Sequence, residues 1–431
     1  MKITIATGPI FPVPAVRGGA VQRLWEGLAH EFVTRGHEVT IFAREFPGQA
    51  REETVDGIRY VRRGGYSQST SIKRDLVQCL IYALKTARHV PQGDVVVTND
   101  FWMPAVLPWL KPSAGKVVPC LQRFPKKQCG LYKRCAALAA VSQAVADAVK
   151  MQSPLVGDKV VVVPNAVDEV FLGKSVERGA GSVEQEAEGT WHAAGSGEWE
   201  AKSGNPPSRW TTPASVDLRR GEPAGQAAGG GRPVKILFVG RIHPEKGLEL
   251  LVQALKSMER GAGSKEQEAW ECVLVGPVAQ SEGGGGETFA DELKRQVEGL
   301  PVRFEAPVFD PEVLAKTYDK ADVFVYPSVA EMGESFGIAP LEAMARGLVP
   351  VVSDLAVFRQ YIEPGVNGIV FDHRPATAPA QLAAAIDSLL QDPARRRAMA
   401  AKARQTAETY SLSATADRYL SLFAKITEEP R

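Results

Sequence analysis

Over the first 172 positions, apolar residues gather in short β-branched runs separated by stretches with helical spacing. Ile3–Thr7, Val39–Ala43, Ile58–Arg62, Val95–Thr98, Lys116–Leu121, Leu138–Ser142 and Val160–Pro164 read as strands. Most are continuous apolar runs, as expected for strands covered on both faces of a parallel sheet. Between them, Val21–Arg35 and Ser71–His89 predict helices. Leu24, Leu28 and Phe32 fall at i, i+4 and i+8, one apolar face, and Gly36 supplies the stop. The alternation predicts a doubly wound α/β domain.

The pattern restarts at residue 234. Ile236–Val239, Val273–Val275, Val302–Phe304, Val323–Tyr326, Val349–Ser353 and Gly368–Phe371 are the strand candidates. Leu248–Ser257, Pro311–Lys320 and Ile338–Arg346 are helices between them, and the tail Pro379–Lys425 reads as helical. A second doubly wound domain follows from the same reasoning.

Residues 174–232 break the pattern. They hold 11 of the 40 glycines, are dominated by Ser, Glu, Pro and Ala, and carry Trp191, Trp199 and Trp210 without aliphatic periodicity. Such a stretch buries too little surface to offset its ordering entropy, so a disordered insertion is expected, with docking of the tryptophans on a domain as the alternative. A short repeat links it to the second domain: SVERGAGSVEQEA at 175–187 returns as SMERGAGSKEQEA at 257–269. Both copies, and the four-glycine run within Ser281–Glu287, read as tolerated loop insertions without a role of their own.

The 431 residues carry 51 basic and 50 acidic side chains, a net charge of +1. That balance argues against a dedicated nucleic-acid binder. No apolar run reaches about 18 residues, and the N-terminus looks like a strand, not a signal peptide. Five scattered cysteines make neither a disulfide framework nor a zinc site. The expectation is a cytoplasmic protein of two domains, 1–172 and 233–409, with 173–232 as linker.

Two such domains facing each other form a cleft at the carboxyl ends of their sheets, where open α/β sheets bind ligands. Gly18-Gly19 precede the first helix; they suit either close approach of an anion to backbone N–H groups or a simple turn. Arg241 and Lys246 follow the strand ending at Val239. Together they suit a diphosphate, or are simply solvated. In Tyr326–Gly347 a strand, a glycine-bearing loop and a short helix carry Glu334 and Glu342. If helical throughout, that spacing spans about 12 Å. Glycosidase carboxyl pairs stand about 5–9.5 Å apart. The two therefore look like contacts along an extended ligand, one for sugar hydroxyls and one for a ribose diol, or else like solvated carboxylates.

Glu334 and Glu342 form an E-x7-E motif within PS-x(4)-GESFGIAPLEAMARG. With VGRIHPEKG (239–247), ADVFVYPS (321–328) and VVPNAVD (162–168), the chain resembles the retaining, nucleotide-sugar-dependent glycosyltransferases of group 1, or family 4. The resemblance covers about 1–172 and 233–425. It implies a GT-B fold of two facing Rossmann-like domains, with the donor mainly on the second domain and a C-terminal helix, about 410–428, crossing back to the first. It implies that Arg241 and Lys246 neutralise the donor diphosphate, that Glu342 binds the nucleotide ribose, and that Glu334 lies near the donor sugar. Phe336, Gly337 and Ile338 would supply backbone amides, and Gly18 and Gly19 a loop closing over the phosphates. The resemblance also implies a front-face retaining substitution without a metal or other cofactor.

Many relatives carry a histidine after the strand corresponding to Val117–Leu121; here Pro119–Pro125 has none. Asp100, Gln122 and Arg123 are the acceptor-side candidates. His243, between the two donor-side cations, reads as an exposed loop residue. The expected partners are a nucleotide-sugar donor and a glycan, lipid-linked or small-molecule acceptor, in the biosynthesis of polysaccharide. The basic stretch Pro125–Arg134 suits either a peripheral membrane contact or a solvated face. Alternatives to transfer are a nucleotide-sugar epimerase of the same fold and an inactive nucleotide-sugar-binding protein. A nicotinamide dehydrogenase lacks its GxGxxG after Thr7.

Overall fold

The computed structural model describes residues 1–14, 20–67, 69, 71–173, 233–261 and 269–428. Gly18 and Gly19, the segment 174–232 with its tryptophans, and the loop 262–268 of the second repeat copy lie outside the described residues.

The first domain runs β1 (Lys2–Gly8), α1 (Ala20–Thr34), β2 (Glu38–Ala43), β3 (Glu52–Val55), β4 (Ile58–Arg62), α2 (Ile72–Thr86), β5 (Val95–Thr98), α3 (Met103–Leu110), β6 (Lys116–Leu121), β7 (Leu138–Ala140), α4 (Gln143–Gln152) and β8 (Val160–Val162). Its sheet has the order β3-β4-β2-β1-β5-β6-β7-β8. All pairs are parallel except β3–β4. The unexpected β3 is a polar edge strand, largely exposed. Its hairpin turn is Asp56-Gly57, both at positive φ, the dipeptide that two-residue hairpins favour. The second unexpected element, α3, is short and contains Pro104 in its first turn and Pro108 inside, which hides a helical signal.

The second domain runs β9 (Val234–Val239), α5 (Leu248–Gly261), β10 (Trp270–Val275), α6 (Glu287–Gln296), β11 (Val302–Glu305), α7 (Pro311–Asp319), β12 (Val323–Tyr326), α8 (Ile338–Ala345), β13 (Val349–Ser353) and β14 (Ile369–Phe371). Its parallel sheet has the order β11-β10-β9-β12-β13-β14. The tail divides into α9 (Ala378–Leu390), α10 (Pro393–Glu408) and α11 (Leu412–Glu428).

In each sheet the chain first builds to one side of its opening strand and then returns to build the other. The reversals fall between β1 and β5 and between β9 and β12. Helices on both faces bury the central strands: every residue of β5, β12 and β13 is buried. A crevice at the carboxyl ends results at each reversal.

The last helix, α11, packs on α1 of the first domain. Tyr419 meets Trp25 at 5.0 Å between ring centroids, and Phe423 meets Phe32 edge-on at 6.0 Å. Cys120 Sγ lies 3.2 Å from the Tyr419 hydroxyl. Arg35 adds bonds to Ser413 and Asp417. Just before α11, Val167 N–H donates to the Tyr410 carbonyl at 2.8 Å, so the two chain crossings between the domains run side by side.

Phe423 is fully buried between the helices. Phe423→Ala should therefore cost about 3–5 kcal/mol through lost burial and a residual cavity. Denaturant unfolding should show it as a lowered midpoint; an unchanged midpoint would mean α11 contributes little to the fold.

Candidate functional site

The turn after β9 and the loop after β12 meet at the reversal of the second sheet. Glycine makes the approach possible: Gly247 sits at φ +66, and a Cβ there would lie 1.9 Å from the Pro327 carbonyl oxygen. The Glu245 carbonyl accepts from Val329 N–H (2.9 Å) and Ser328 Oγ (3.2 Å), stitching turn to loop. His243 is a cap: its Nδ1 accepts from Glu245 N–H at 3.2 Å at the start of a 3-10 turn, Pro244–Lys246.

This stitching drives Lys246 inward. Its Nζ donates to Glu334 Oε2 at 2.7 Å, with both side chains about nine-tenths buried. The Tyr326 hydroxyl donates to the same oxygen at 3.1 Å, and the ammonium lies 5.1 Å from the Tyr326 ring centre. Burial and the Glu334 charge hold the Tyr326 phenol well above its ordinary range, while Arg241 pulls the other way.

Arg241 is half-exposed, paired with Glu245, and donates to the Gly283 carbonyl at 2.8 Å. The four-glycine run is thus no idle insertion. A Cβ on Gly284 would stand 2.1 Å from the Val278 carbonyl oxygen, and Gly285 N–H donates to the Ile242 carbonyl at 2.8 Å. These glycines let the turn pack under Arg241 and present a carbonyl to it.

Helix α8 begins only at Ile338, so Glu334 lies in the loop and the continuous-helix spacing does not apply. Phe336 is buried, and the carbonyls of Phe336 and Gly337 accept from the Tyr361 hydroxyl at 3.2 and 2.7 Å. Glu342, one turn into α8, accepts from the Tyr318 hydroxyl at 3.0 Å. With Ile338 it lines a cavity of about 60 Å³ whose other walls include Arg23 and Asp168 of the first domain. Burial pushes the Glu342 carboxyl up to about 7, against the pull of the Tyr318 bond and Arg23.

On the first domain, Gln122 lies opposite the loop: Ser335 Oγ donates to its carbonyl at 2.8 Å. The Gln122 amide exchanges two hydrogen bonds with Asn165, at 2.9 and 2.8 Å. Arg123 is exposed and makes no ion pair among the described residues. Asp100 follows β5. Its Oδ1 accepts from the N–H groups of Trp102 (3.0 Å) and Met103 (2.6 Å) at the start of α3. Its Oδ2 is buried without a partner among the described residues, as are Thr7 Oγ1, Thr98 Oγ1, Asn99 Nδ2 and the Tyr82 hydroxyl. Burial raises the Asp100 carboxyl to about 6. Thr7, Thr98 and Asn99 read in sequence only as strand ends. Ser335 and Gly283 gave no sign of their contacts, because their partners, Gln122 and Arg241, are distant in the chain.

Residues 226–406 match a family model described as glycosyl transferases group 1, and residues 17–171 one described as glycosyltransferase family 4. The chain is similar to a D-inositol 3-phosphate glycosyltransferase of Kineococcus radiotolerans. Identity is 27% over 457 aligned residues, covering 99% of this chain and 95% of the relative. Among solved structures, sucrose-phosphate synthase from Thermosynechococcus elongatus superposes with a TM-score of 0.67 at 17% identity, covering 99% of both chains. HepE of Anabaena, solved in complex with UDP and glucose, gives 0.61 at 16% identity, covering 99% of this chain and 100% of that one. At these identities the structures speak to the fold, which is GT-B.

The Glu342 carboxyl generates a pH prediction. Its ordinary pKa is 4.5 and its folded value about 7, so folding takes up a proton between these values. Stability therefore falls as pH rises through that window. Glu342→Gln should abolish this fall, raising stability above pH 7 by on the order of 3 kcal/mol and not below pH 4.5. Melting temperatures of both proteins across pH would check it; parallel curves would refute it.

Proposed function

The chain belongs to the group 1 glycosyltransferases, and from that premise we propose a retaining, metal-independent transfer from a nucleoside-diphosphate sugar to a hydroxyl-rich acceptor. The observation that carries the reading is the buried Lys246–Glu334 pair under Tyr326, with Arg241 beside it. It supplies two cations at the carboxyl end of β9 for a diphosphate and a carboxylate within reach of a sugar. The UDP and glucose held by HepE support a nucleotide sugar as donor. The name of the Kineococcus relative supports a polyol as one acceptor class.

As the bond between the anomeric carbon and the β-phosphate oxygen breaks, its electron pair stays on the diphosphate. Arg241 and Lys246 stabilise that growing charge. The acceptor oxygen bonds to the anomeric carbon on the same face, and its proton passes to the leaving phosphate oxygen. Glu334, released from Lys246 when the diphosphate takes its place, accepts hydroxyls of the donor sugar. Glu342 accepts the ribose diol. Asp100, with the Thr7, Thr98 and Asn99 side chains, lines the acceptor side. Because side-chain cations neutralise the diphosphate, no divalent metal takes part in the reading.

A thermal-shift panel of uridine, guanosine and adenosine diphosphates and their sugars tests the donor. One base should raise the melting temperature in proportion to RT ln(1 + [L]/Kd), and none doing so would overturn the reading. With the donor found, Lys246→Ala should lower turnover about 100–1000-fold. Wild-type turnover should survive a chelator; its complete loss would remove the metal-independent part.

A further inference from the structure

Helices α2 and α3 carry large apolar side chains on their outer surface. Val77, Ile81 and Leu84 repeat at i, i+4 and i+7 along α2 and are 59%, 46% and 49% exposed. They form a stripe opposite the buried face made by Cys79, Tyr82, Ala83 and Thr86. Trp109 and Leu110, 59% and 52% exposed, end α3. Lys111 Nζ, just beyond them, donates to the carbonyls of Arg88 (3.0 Å) and Val90 (2.6 Å), which brings the ends of the two helices together.

Positive charge frames this apolar surface. Lys73, Arg74, Lys85 and Arg88 are exposed and make no ion pair among the described residues. The single acid between residues 72 and 90, Asp75, accepts from Ser69 N–H at 3.0 Å. The Arg134 guanidinium stacks 3.4 Å from the centre of the Trp109 ring. Arg134 also borders a cavity of about 460 Å³ with Lys116, Lys159 and Lys425 against one acid, Asp158.

We propose that this face docks on an anionic lipid bilayer, the apolar side chains entering the interface and the cations meeting lipid phosphates. Exposed apolar patches mark interaction surfaces. Tryptophan favours the membrane–water boundary, and lysine and arginine favour anionic headgroups. A second copy of the chain would cover the same stripe, but it would set these four cations against their own counterparts, and like charges oppose such pairing. The inference does not depend on transferase activity, and its failure is separable from failure of the functional reading.

Sedimentation with phosphatidylcholine vesicles, with and without phosphatidylglycerol, is the test. The protein should bind the anionic vesicles about tenfold or more tightly than the neutral ones, and salt should weaken the difference. Two surface variants separate the contributions, Ile81→Ser with Leu84→Ser and Lys85→Glu with Arg88→Glu, each checked for an unchanged melting temperature. The first should weaken binding to all vesicles and the second should abolish the preference for anionic ones. Equal binding to both vesicle types, or unchanged binding by both variants, overturns the proposal. So does a wild-type dimer that the first pair of substitutions dissociates in the absence of any vesicle binding.

Discussion

The crevice of the second domain is organised around one buried ion pair. Removing Lys246 and Glu334 from water costs several kcal/mol per charge, and their attraction offsets it only with good geometry and further hydrogen bonds. The 2.7 Å contact and the Tyr326 hydroxyl on the same oxygen supply both. Much of the local architecture follows from this requirement. The turn after β9 must press against the loop after β12, and it does so through Gly247, where any side chain would collide with the Pro327 carbonyl. A purely structural core would be as stable with apolar residues of like volume. In the proposed reaction the pair has a purpose that such residues could not serve, since a diphosphate replaces the carboxylate as partner of Lys246 and the cation is never left bare.

The seam between the domains contains two kinds of contact. Away from the cleft, α11 locks onto α1 with buried aromatic rings, an apolar contact that excludes water. Around the cleft, beside the edge-on meeting of Phe171 and Tyr318 at 5.9 Å, polar contacts end on main-chain carbonyls: Ser335 on Gln122, Arg23 on Phe309, and Arg346 on Val170 and Phe171. Polar contacts of this type exchange with water at a small net cost, whereas burial of Phe423 does not. The apolar contacts of the C-terminal helix thus join the domains firmly, while the polar bonds at the cleft are ones that water can replace.

Strand positions were legible because doubly covered parallel strands are nearly continuous apolar runs, and β5, β12 and β13 are buried at every residue. What escaped the pattern had other physics. β3 is a polar edge whose signal was the Asp56-Gly57 turn, and α3 is a helix carrying two prolines. The glycine run at 283–286 was misread because glycine has two opposite uses in sequence, looseness and tight packing, and only the proximity of the Val278 carbonyl distinguishes them. Residue types in the motifs marked Arg241, Lys246, Glu334 and Glu342. Their pairing could not be read, since Lys246 meets Glu334 across 88 positions and Glu342 meets Tyr318 across 24.

The two sides of the cleft differ in how their polar groups are satisfied. On the second domain, Arg241, Lys246 and Glu334 all have protein partners, so a ligand there must exchange contacts. On the first domain, Asp100 holds one oxygen against the first N–H groups of α3, while the other, like atoms of Thr7, Thr98 and Asn99, is buried without a partner among the described residues. The two N–H groups on the fixed oxygen hold the carboxyl in one orientation, so in the proposed transfer its other oxygen meets an incoming hydroxyl at a set angle. With its carboxyl raised to about 6 by burial, Asp100 remains mostly ionised at neutral pH and accepts hydrogen bonds. In the proposed transfer Asp100 orients the acceptor hydroxyl, and the proton released goes to the leaving phosphate, whose growing charge makes it the stronger base at the moment of bond cleavage.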